Sequence, residues 1–489
     1  MSMNVKGHQN RPDMAPAPPQ HIAQNQLQRI HVAIPAMNEA WNLPATLSCL
    51  KNQQWPGAIA GAGENHPAAG ENHPAASENR QPEVHTWICV NQPDHWWDDP
   101  EKKPICEDNL FTLLYLKDLD IPNLHLIDRC SRGKGWTGKD HGVGMARKTL
   151  MDAIDLWCAQ SAAEPLSGRS RQSAVTQTRD IILSLDADTR FGPGYLASVA
   201  SLFREHPAVV GLSNPYYHEL TGDDILDRAM LRYEIYMRHY AINMWRIGSP
   251  YAFTALGSAI ALPLRAYRKI GGMTAKKSGE DFYLLQKLCK TGRLIHFNTE
   301  TVQPATRYSD RVFFGTGPAL IKGSRGDWES YPVYDYRLFD KVAATCRRFP
   351  DLFDGDVETP MDAFLQRQFC SGDVFGPLRQ NAKTREQFVR ACHHRIDGLR
   401  ILQFLKSAQA QTPYTDEDNL KAFIDRFYKQ EFEAFPTLSD GPAQPADLEQ
   451  LDFSGSPIAF LNKIRNFLYQ KEQSYREGDL HALRPHTGN

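Results

Sequence analysis

Short apolar runs alternate with helical patterns over the first two thirds of the chain. Residues 30–34, 84–90, 124–127 and 181–185 form apolar runs short enough to be buried strands. The small-residue run 255–262 predicts a further strand, and residues 35–39 predict a turn after the first strand. Between them, apolar residues recur at helical spacing, as in the helix predicted over residues 42–50. This alternation is typical of an α/β fold in which helices cover a largely parallel sheet.

The pattern changes toward the C-terminus, where helices dominate. From about residue 335 the spacing predicts mostly helices, including 384–408, 457–473 and one that begins at Thr415 with Asp418 three positions later. A long helix over residues 225–245 precedes this region. Its apolar stripe predicts a core helix, and peripheral contact with a membrane surface is the alternative.

Two segments interrupt the periodic pattern. Residues 1–28 are rich in Pro, Gln and Asn, which predicts a disordered tail. Residues 51–83 carry the tandem heptad Gly-Glu-Asn-His-Pro-Ala-Ala, which predicts a low-complexity insertion in a surface loop. We therefore predict an α/β domain over residues 29–320 and a helical C-terminal region over 321–489.

Charge and cysteine content narrow the function classes. A net charge of −2 argues against nucleic acid as the main partner. Nine cysteines without a Cys-x-x-Cys pair suit a reducing compartment. Neither a signal peptide nor an apolar run long enough to span a membrane is evident, so we expect a cytoplasmic protein without a transmembrane segment.

Two carboxylates follow the run 181–185, at Asp186 and Asp188. In an extended chain they would share one face and could converge on a cation at the end of the strand. Mg²⁺ and Mn²⁺ take carboxylate ligands and complete their shell with phosphate oxygens, as in nucleotide sites. The alternative is that both acids cap the helix that follows the Gly-Pro-Gly break at 192–194.

Glu280 and Asp281 open a helix that the pattern predicts over residues 282–290. Acidic residues at a helix N-terminus are stabilised by the helix dipole, which explains their presence without any function. An ionised carboxylate that faces a cleft from this position can also serve as a general base. One residue can fill both roles.

A basic, glycine-rich loop precedes the helix that begins near Val143. Gly133, Gly135 and Gly138 match G-x-G-x-x-G, but the loop does not lead directly from strand to helix, so we interpret the match as accidental. Lys134 and Arg147 are candidates for phosphate contacts. A solvated basic loop accounts for Lys134 equally well.

The order of these features resembles the family-2-like glycosyltransferases of the GT-A fold, over roughly residues 29–320. The matching segments are Ile-Pro-Ala-Met-Asn-Glu at 34–39, Gly-Val-Gly-Met-Ala-Arg at 142–147, Asp-Ala-Asp at 186–188, Gly-Ser-Ala-Ile-Ala-Leu at 257–262 and Gly-Glu-Asp at 279–281. The resemblance implies an open mixed sheet flanked by helices, with a sugar nucleotide at the strand ends. It leaves the helical C-terminal region unexplained.

The resemblance also implies roles for individual residues. Pro35 and Glu39 would contact the nucleotide, and Asn91 stands where the family commonly has an acidic base contact. Asp186 would bind the ribose or the metal, and Asp188 the metal, Mg²⁺ or Mn²⁺. Asp281, beside Glu280, would deprotonate the acceptor.

The implied activity is the metal-dependent transfer of a sugar from a UDP- or GDP-linked donor to a glycan, lipid or small-molecule acceptor. We expect inversion with Asp281 as the base; retention is the alternative, because an Asp-x-Asp motif serves both outcomes. A nucleotidyltransferase of related fold is an alternative, but its Gly-rich loop after the first strand is replaced by Pro-Ala-Met-Asn-Glu at 35–39. A non-catalytic scaffold that binds nucleotide sugars is another. Slow sugar-nucleotide hydrolysis would distinguish an enzyme from it.

Overall fold

The computed structural model describes most of the chain. The predicted tail 1–28 and most of the predicted insertion, residues 57–80, lie outside the described residues. The described ranges are 29–56, 81–138, 141–163, 179–309, 315–436 and 447–483.

The described residues contain nine strands, from two to nine residues long. In chain order they are β1 Arg29–Ala36, β2 Glu83–Asn91, β3 Leu124–Arg129, β4 Ile181–Ser184, β5 Arg190–Phe191, β6 Gly211–Ser213, β7 Ile260–Pro263, β8 Leu294–Ile295 and β9 Val302–Gln303.

Seven of these strands form one mixed sheet in the order β3-β2-β1-β4-β7-β6-β8. β1 pairs in parallel with both β2 and β4, and β2 with β3. β7 runs antiparallel to β4 and β6, so the parallel and mixed halves meet at β4. All four residues of β4 are buried, which explains its continuous apolar sequence.

Helices connect the strands and make up the C-terminal region. The helices of the sheet domain are α1 Leu43–Lys51, α2 Lys103–Asp118, α3 Val143–Ala163, α4 Tyr195–Glu205, α5 Asp224–Arg246, α6 Leu264–Lys269, α7 Glu280–Cys289 and α8 Thr316–Gly323. The later helices are α9 Tyr336–Arg347, α10 Asp362–Phe369, α11 Gly376–Asn381, α12 Arg385–Arg395, α13 Gly398–Gln409, α14 Asp416–Phe427, α15 Lys429–Glu433 and α16 Ile458–His481.

These elements confirm the predicted fold class: an open mixed sheet flanked by helices and followed by a mostly helical region. The helix predicted over 225–245 is α5, and its apolar stripe is core. The capping box at Thr415 and Asp418 is present at the start of α14. Within the described residues, the helices lack the length and apolarity that a membrane crossing requires.

Several boundaries differ from the sequence predictions. Pro35, predicted in a turn, lies inside β1 and pairs with β2. The strand predicted over 255–262 is a 3₁₀ turn, Gly257–Ala259, followed by β7. The helix predicted over 384–408 is two helices, because Asp397 caps the start of α13.

Helix α16 packs against α5 through buried charges. Arg238 of α5 donates to Glu472 of α16 at 2.6 Å. Arg476 donates to the backbone oxygens of Ser213 and His296 at 2.8 and 2.7 Å. Removing one member of a buried ion pair typically costs about 3–5 kcal/mol of stability. We therefore infer that α16 stabilises the position of α5 and of the adjacent sheet strand β6.

Candidate active site

Arg147 joins four separate segments at one buried guanidinium group. It lies in the first turns of α3 and is only 3% exposed. Its Nε donates to Glu280 at 3.0 Å and its Nη2 to Asp186 at 2.5 Å. Its Nη1 donates to the Ser184 hydroxyl at 2.5 Å and to the Gly257 carbonyl at 2.8 Å. Four of the five sequence motifs therefore meet at this side chain.

The charges around Arg147 explain its ionisation. Burial alone would lower the pKa of its guanidinium, but the neighbouring carboxylates of Asp186 and Glu280 outweigh burial and raise that pKa. Arg147 is thus a permanent positive charge in the site.

The close packing on Arg147 requires glycine at position 257. A Cβ atom at Gly257 would lie 2.5 Å from Cζ of Arg147. We expect Gly257→Ala to displace the guanidinium and to lower the free energy of unfolding by about 1–3 kcal/mol, as overpacking does elsewhere. Chemical denaturation measures this. Gly355→Ala is the control, because nothing lies within 4 Å of a Cβ there; equal stability losses in the two variants would contradict the packing argument.

A second arginine joins the loop after β1 to the turn after β4. Nε of Arg307 donates to Oδ2 of Asp188 at 2.8 Å, and its Nη2 donates to the same oxygen at 2.5 Å. The same Nη2 also donates to Oε1 of Glu39. Oε2 of Glu39 accepts from Asn42 at 2.9 Å, so this buried glutamate is held at both oxygens.

The chain turns immediately after β4, which changes the predicted geometry of the two aspartates. The Thr189 amide donates to the Asp186 carbonyl at 3.2 Å, and the hydroxyl of Thr46 on α1 donates to the Ala187 carbonyl at 2.8 Å. The strand-like alternation expected for an extended chain therefore does not apply. Asp186 pairs with Arg147 and Asp188 with Arg307.

Glu280 and Asp281 form the first turn of α7, as predicted. Gly279 precedes them at φ 74°, a left-handed conformation that favours glycine. Burial and the adjacent Asp281 raise the pKa of Glu280 to about 7, against the pull of Arg147. Burial also raises the pKa of Asp281, with Asp186 adding to the rise and Arg147 opposing it. The pKa of Asp281 therefore depends on the charges of Asp186, after β4, and of its partner Arg147.

The raised pKa values give the pair a pH signature. If Asp281 must be ionised to act, the acid limb of kcat/KM reflects the proton that the pair holds. We expect Glu280→Gln to shift that limb to lower pH, because it removes one of the two adjacent carboxyl groups whose pKa values are raised together. A pH profile of kcat/KM measures the shift. A limb that moved upward or stayed in place would contradict the coupling.

Two predicted nucleotide contacts are held by other partners. The Asn91 side chain is buried at the end of β2, where it donates to the Ala36 carbonyl at 2.9 Å and accepts from the Trp136 indole at 3.2 Å. Lys134 is exposed and pairs with Asp128 at 2.9 Å. The structure thus gives both residues local structural roles and does not place them at either arginine.

Arg307 is the member of the site that the sequence reasoning missed. It lies in a polar segment after β9 without helical or strand periodicity. Its partners are 268 and 119 positions away in the chain, at Glu39 and Asp188. No local pattern signals a contact of that range.

The donor chemistry of the site fits a hard divalent cation. Among the described residues, four carboxylates pair with two guanidinium groups, and the pKa of a fifth, Asp281, responds to the charge of Arg147. Carboxylate oxygens are the ligands that Mg²⁺ and Mn²⁺ take, and a diphosphate would add further negative charge to be balanced. The carboxylates are those of Glu39, Asp186, Asp188, Glu280 and Asp281.

A second group of ligand-type side chains lies near the opposite end of the sheet. The ligand atoms of His31, Cys158 and Asp180 lie within 4.8 Å of one another, and all three residues are buried. However, the Trp87 indole donates to Nδ1 of His31 at 3.2 Å. The Nε2 atom of a neutral His31 therefore carries the proton and is not a metal ligand. We interpret this cluster as buried structure.

Comparison with known proteins finds a family model that matches the stretch of chain carrying part of this site. The model of the family described as "Glycosyl transferase family group 2" matches residues 181–321. This stretch contains β4, the turn with both aspartates, the 3₁₀ turn at Gly257, the start of α7 and Arg307. The match confirms the family-2 resemblance predicted from the sequence. Comparison with curated proteins gave no match.

The solved structures to which this chain is similar share little sequence identity with it and superpose poorly. S. aureus TarS 1–349 in complex with UDP-GlcNAc is 11% identical, with 92% of each chain covered and a TM-score of 0.33. The mannosyltransferase PcManGT from Pyrobaculum calidifontis in complex with GDP-Man and Mn²⁺ is 14% identical over 81% of this chain and 85% of that chain, with a TM-score of 0.31. TM-scores this low add nothing to the assignment.

Proposed function

We propose that this chain, whose residues 181–321 carry the family group 2 glycosyltransferase pattern, transfers a sugar from a nucleotide-diphosphate donor to an acceptor hydroxyl. The observation that carries the proposal is the convergence of Asp186, Glu280 and the Gly257 carbonyl on Arg147. This contact links the proposed donor end of the cleft, at β4, to the proposed acceptor end, at α7.

The donor end is built from carboxylates and arginines. We assign Asp188 and Asp186 as ligands of a divalent cation. We assign Glu39 and Pro35 as contacts of the nucleotide. When bound, Mg²⁺ or Mn²⁺ would neutralise charge that develops on the leaving diphosphate. Arg147 orients Asp186, because its Nη2 donates to Oδ1 of that residue.

At the acceptor end, Asp281 is assigned as the general base. Its carboxylate would take the proton of the acceptor hydroxyl as the oxygen attacks the anomeric carbon, and the bond to the diphosphate would break on the opposite face of the sugar. This in-line displacement inverts the anomeric configuration. Glu280 beside it is held by Arg147, and burial together with Asp281 raises the pKa of Glu280 to about 7.

We propose that the catalytic domain comprises residues 29–320 and that the helices of 321–489 support it. The family match ends at residue 321, close to this boundary. The buried ion pairs between α16 and α5 support a structural role for the last helix. A cytoplasmic location remains a prediction of the sequence.

A thermal-shift panel tests the proposed function directly. The ligands are UDP-, GDP- and dTDP-sugars, each with and without Mn²⁺, and NAD as the control for a dinucleotide site. A ligand that binds only the folded chain raises Tm, by about 2.7 kcal/mol of stability at 100 times its Kd. We expect one sugar nucleotide to raise Tm only with Mn²⁺. If NAD is the ligand that raises Tm, or if none of the sugar nucleotides raises it, the proposal is refuted.

A further inference from the structure

Arg307 places a positive charge between two carboxylates that come from separate parts of the chain. Its Nη2 atom donates to Glu39, which follows β1, and to Asp188, which follows β4. The side chains of Glu39 and Asp188 are 4% and 14% exposed, and that of Arg307 is 28% exposed. The two acids are thus fixed and largely buried, whereas the arginine is open to solvent on one side.

The convergence of two carboxylates on one nitrogen defines a position for a cation. Asp188 is also the residue assigned to the divalent cation under the proposed function. Oδ2 of Asp188 already accepts from both Nε and Nη2 of Arg307, so a metal ion that takes this oxygen must displace the guanidinium. A guanidinium and a divalent ion therefore compete for Oδ2 of Asp188.

We propose that Arg307 is a positioning residue that occupies the cation position of the donor-free site and is exchanged for the divalent cation when the sugar nucleotide binds. This inference rests on the proposed function. In the free chain Arg307 holds the Glu39 loop and the Asp188 turn together. The incoming nucleotide brings negative diphosphate charge, which compensates for displacing the guanidinium.

The exchange predicts how cation and nucleotide binding depend on each other. Without nucleotide, the divalent cation must displace an ion pair and binds weakly. With nucleotide, the diphosphate supplies further ligands and a new partner for the released guanidinium, so cation and donor bind cooperatively. A purely structural Arg307 predicts no such competition.

The test is calorimetric titration of Mn²⁺ alone into the full chain, compared with Arg307→Gln. We expect the variant to bind Mn²⁺ at least about tenfold more tightly than the wild-type chain. A factor of ten corresponds to the loss of one charge-assisted hydrogen bond between Arg307 and Asp188, which Mn²⁺ would otherwise have to break. We also expect it to bind the sugar nucleotide more weakly in saturating Mn²⁺. Arg348→Gln is the control, since Arg348 carries a surface ion pair with Asp351 and should leave Mn²⁺ affinity unchanged.

Arg307→Lys provides a second variant that keeps the charge. A lysine cannot reproduce the fork that contacts both acids, so we expect a smaller gain in Mn²⁺ affinity than with glutamine. Mn²⁺ affinity that is unchanged or weaker in both folded variants would overturn the exchange. If the Mn²⁺ affinity of both variants is unchanged or weaker but the wild-type chain binds a sugar nucleotide in Mn²⁺, only the proposed exchange is refuted. If the wild-type chain binds no sugar nucleotide, the proposed function itself is refuted.

Discussion

Asp281→Asn is expected to lower sugar transfer by about 10²- to 10⁴-fold while sugar-nucleotide binding stays near normal, because only the proton-accepting carboxylate is lost. Asn keeps the shape of the side chain and its hydrogen bond from the Phe282 amide at 2.7 Å. The measurement is the turnover of the donor in the presence of acceptor, together with donor affinity by calorimetry.

A control variant distinguishes the loss of a catalytic base from the loss of the favourable interaction between an acidic side chain and a helix N-terminus. Asp224 also lies in the first turn of a helix, α5, and its side chain is 71% exposed. Asp224→Asn should cost the dipole interaction and the exposed ion pair with Arg228, about 0.3–1 kcal/mol of stability each at most, and leave turnover unchanged. Near-normal turnover in Asp281→Asn would remove that residue from the role of base.

Asp188→Ala is expected to abolish metal-dependent binding of the donor, with an affinity loss of roughly 100-fold or more in Mn²⁺, equivalent to about 3 kcal/mol. The substitution removes the assigned cation ligand and leaves Glu39 as the carboxylate partner of Arg307 among the described residues. Calorimetry with and without Mn²⁺ measures the loss.

The matched control is an aspartate that pairs with an arginine on the surface. Asp98 pairs with Arg132 at 2.8 Å, and its side chain is 74% exposed. Asp98→Ala should leave donor affinity and its dependence on Mn²⁺ unchanged. Wild-type affinity in Asp188→Ala would contradict the assigned cation site.

Much of the fold could be predicted from the sequence, because the elements that build it have strong local signals. The run 181–185 is apolar since β4 is buried on both faces, and the structure confirms a strand there. Helix α5 has a long apolar stripe, so its span was predicted to within a residue at each end. The motif at Gly257 was found, but its 3₁₀ turn was mistaken for strand because small residues suit both.

The site could be predicted only where its residues follow strands or begin helices. Asp186, Arg147 and Glu280 lie at such positions, and the structure brings them together. Arg307 lies in an irregular segment, and its pairing with Glu39 depends on how distant parts of the chain pack. Whether Asp186 and Asp188 share one cation could not be derived either, because the turn closed by Thr189 replaces the extended geometry.

The most direct test of the central claim is a crystal structure with a sugar nucleotide and Mn²⁺, with the manganese located by anomalous scattering. We predict one manganese peak that contacts the carboxylate of Asp188 and the donor diphosphate, with Asp281 facing the anomeric carbon of the sugar. A donor bound without manganese at Asp188, or bound away from both Asp188 and Asp281, would contradict the account.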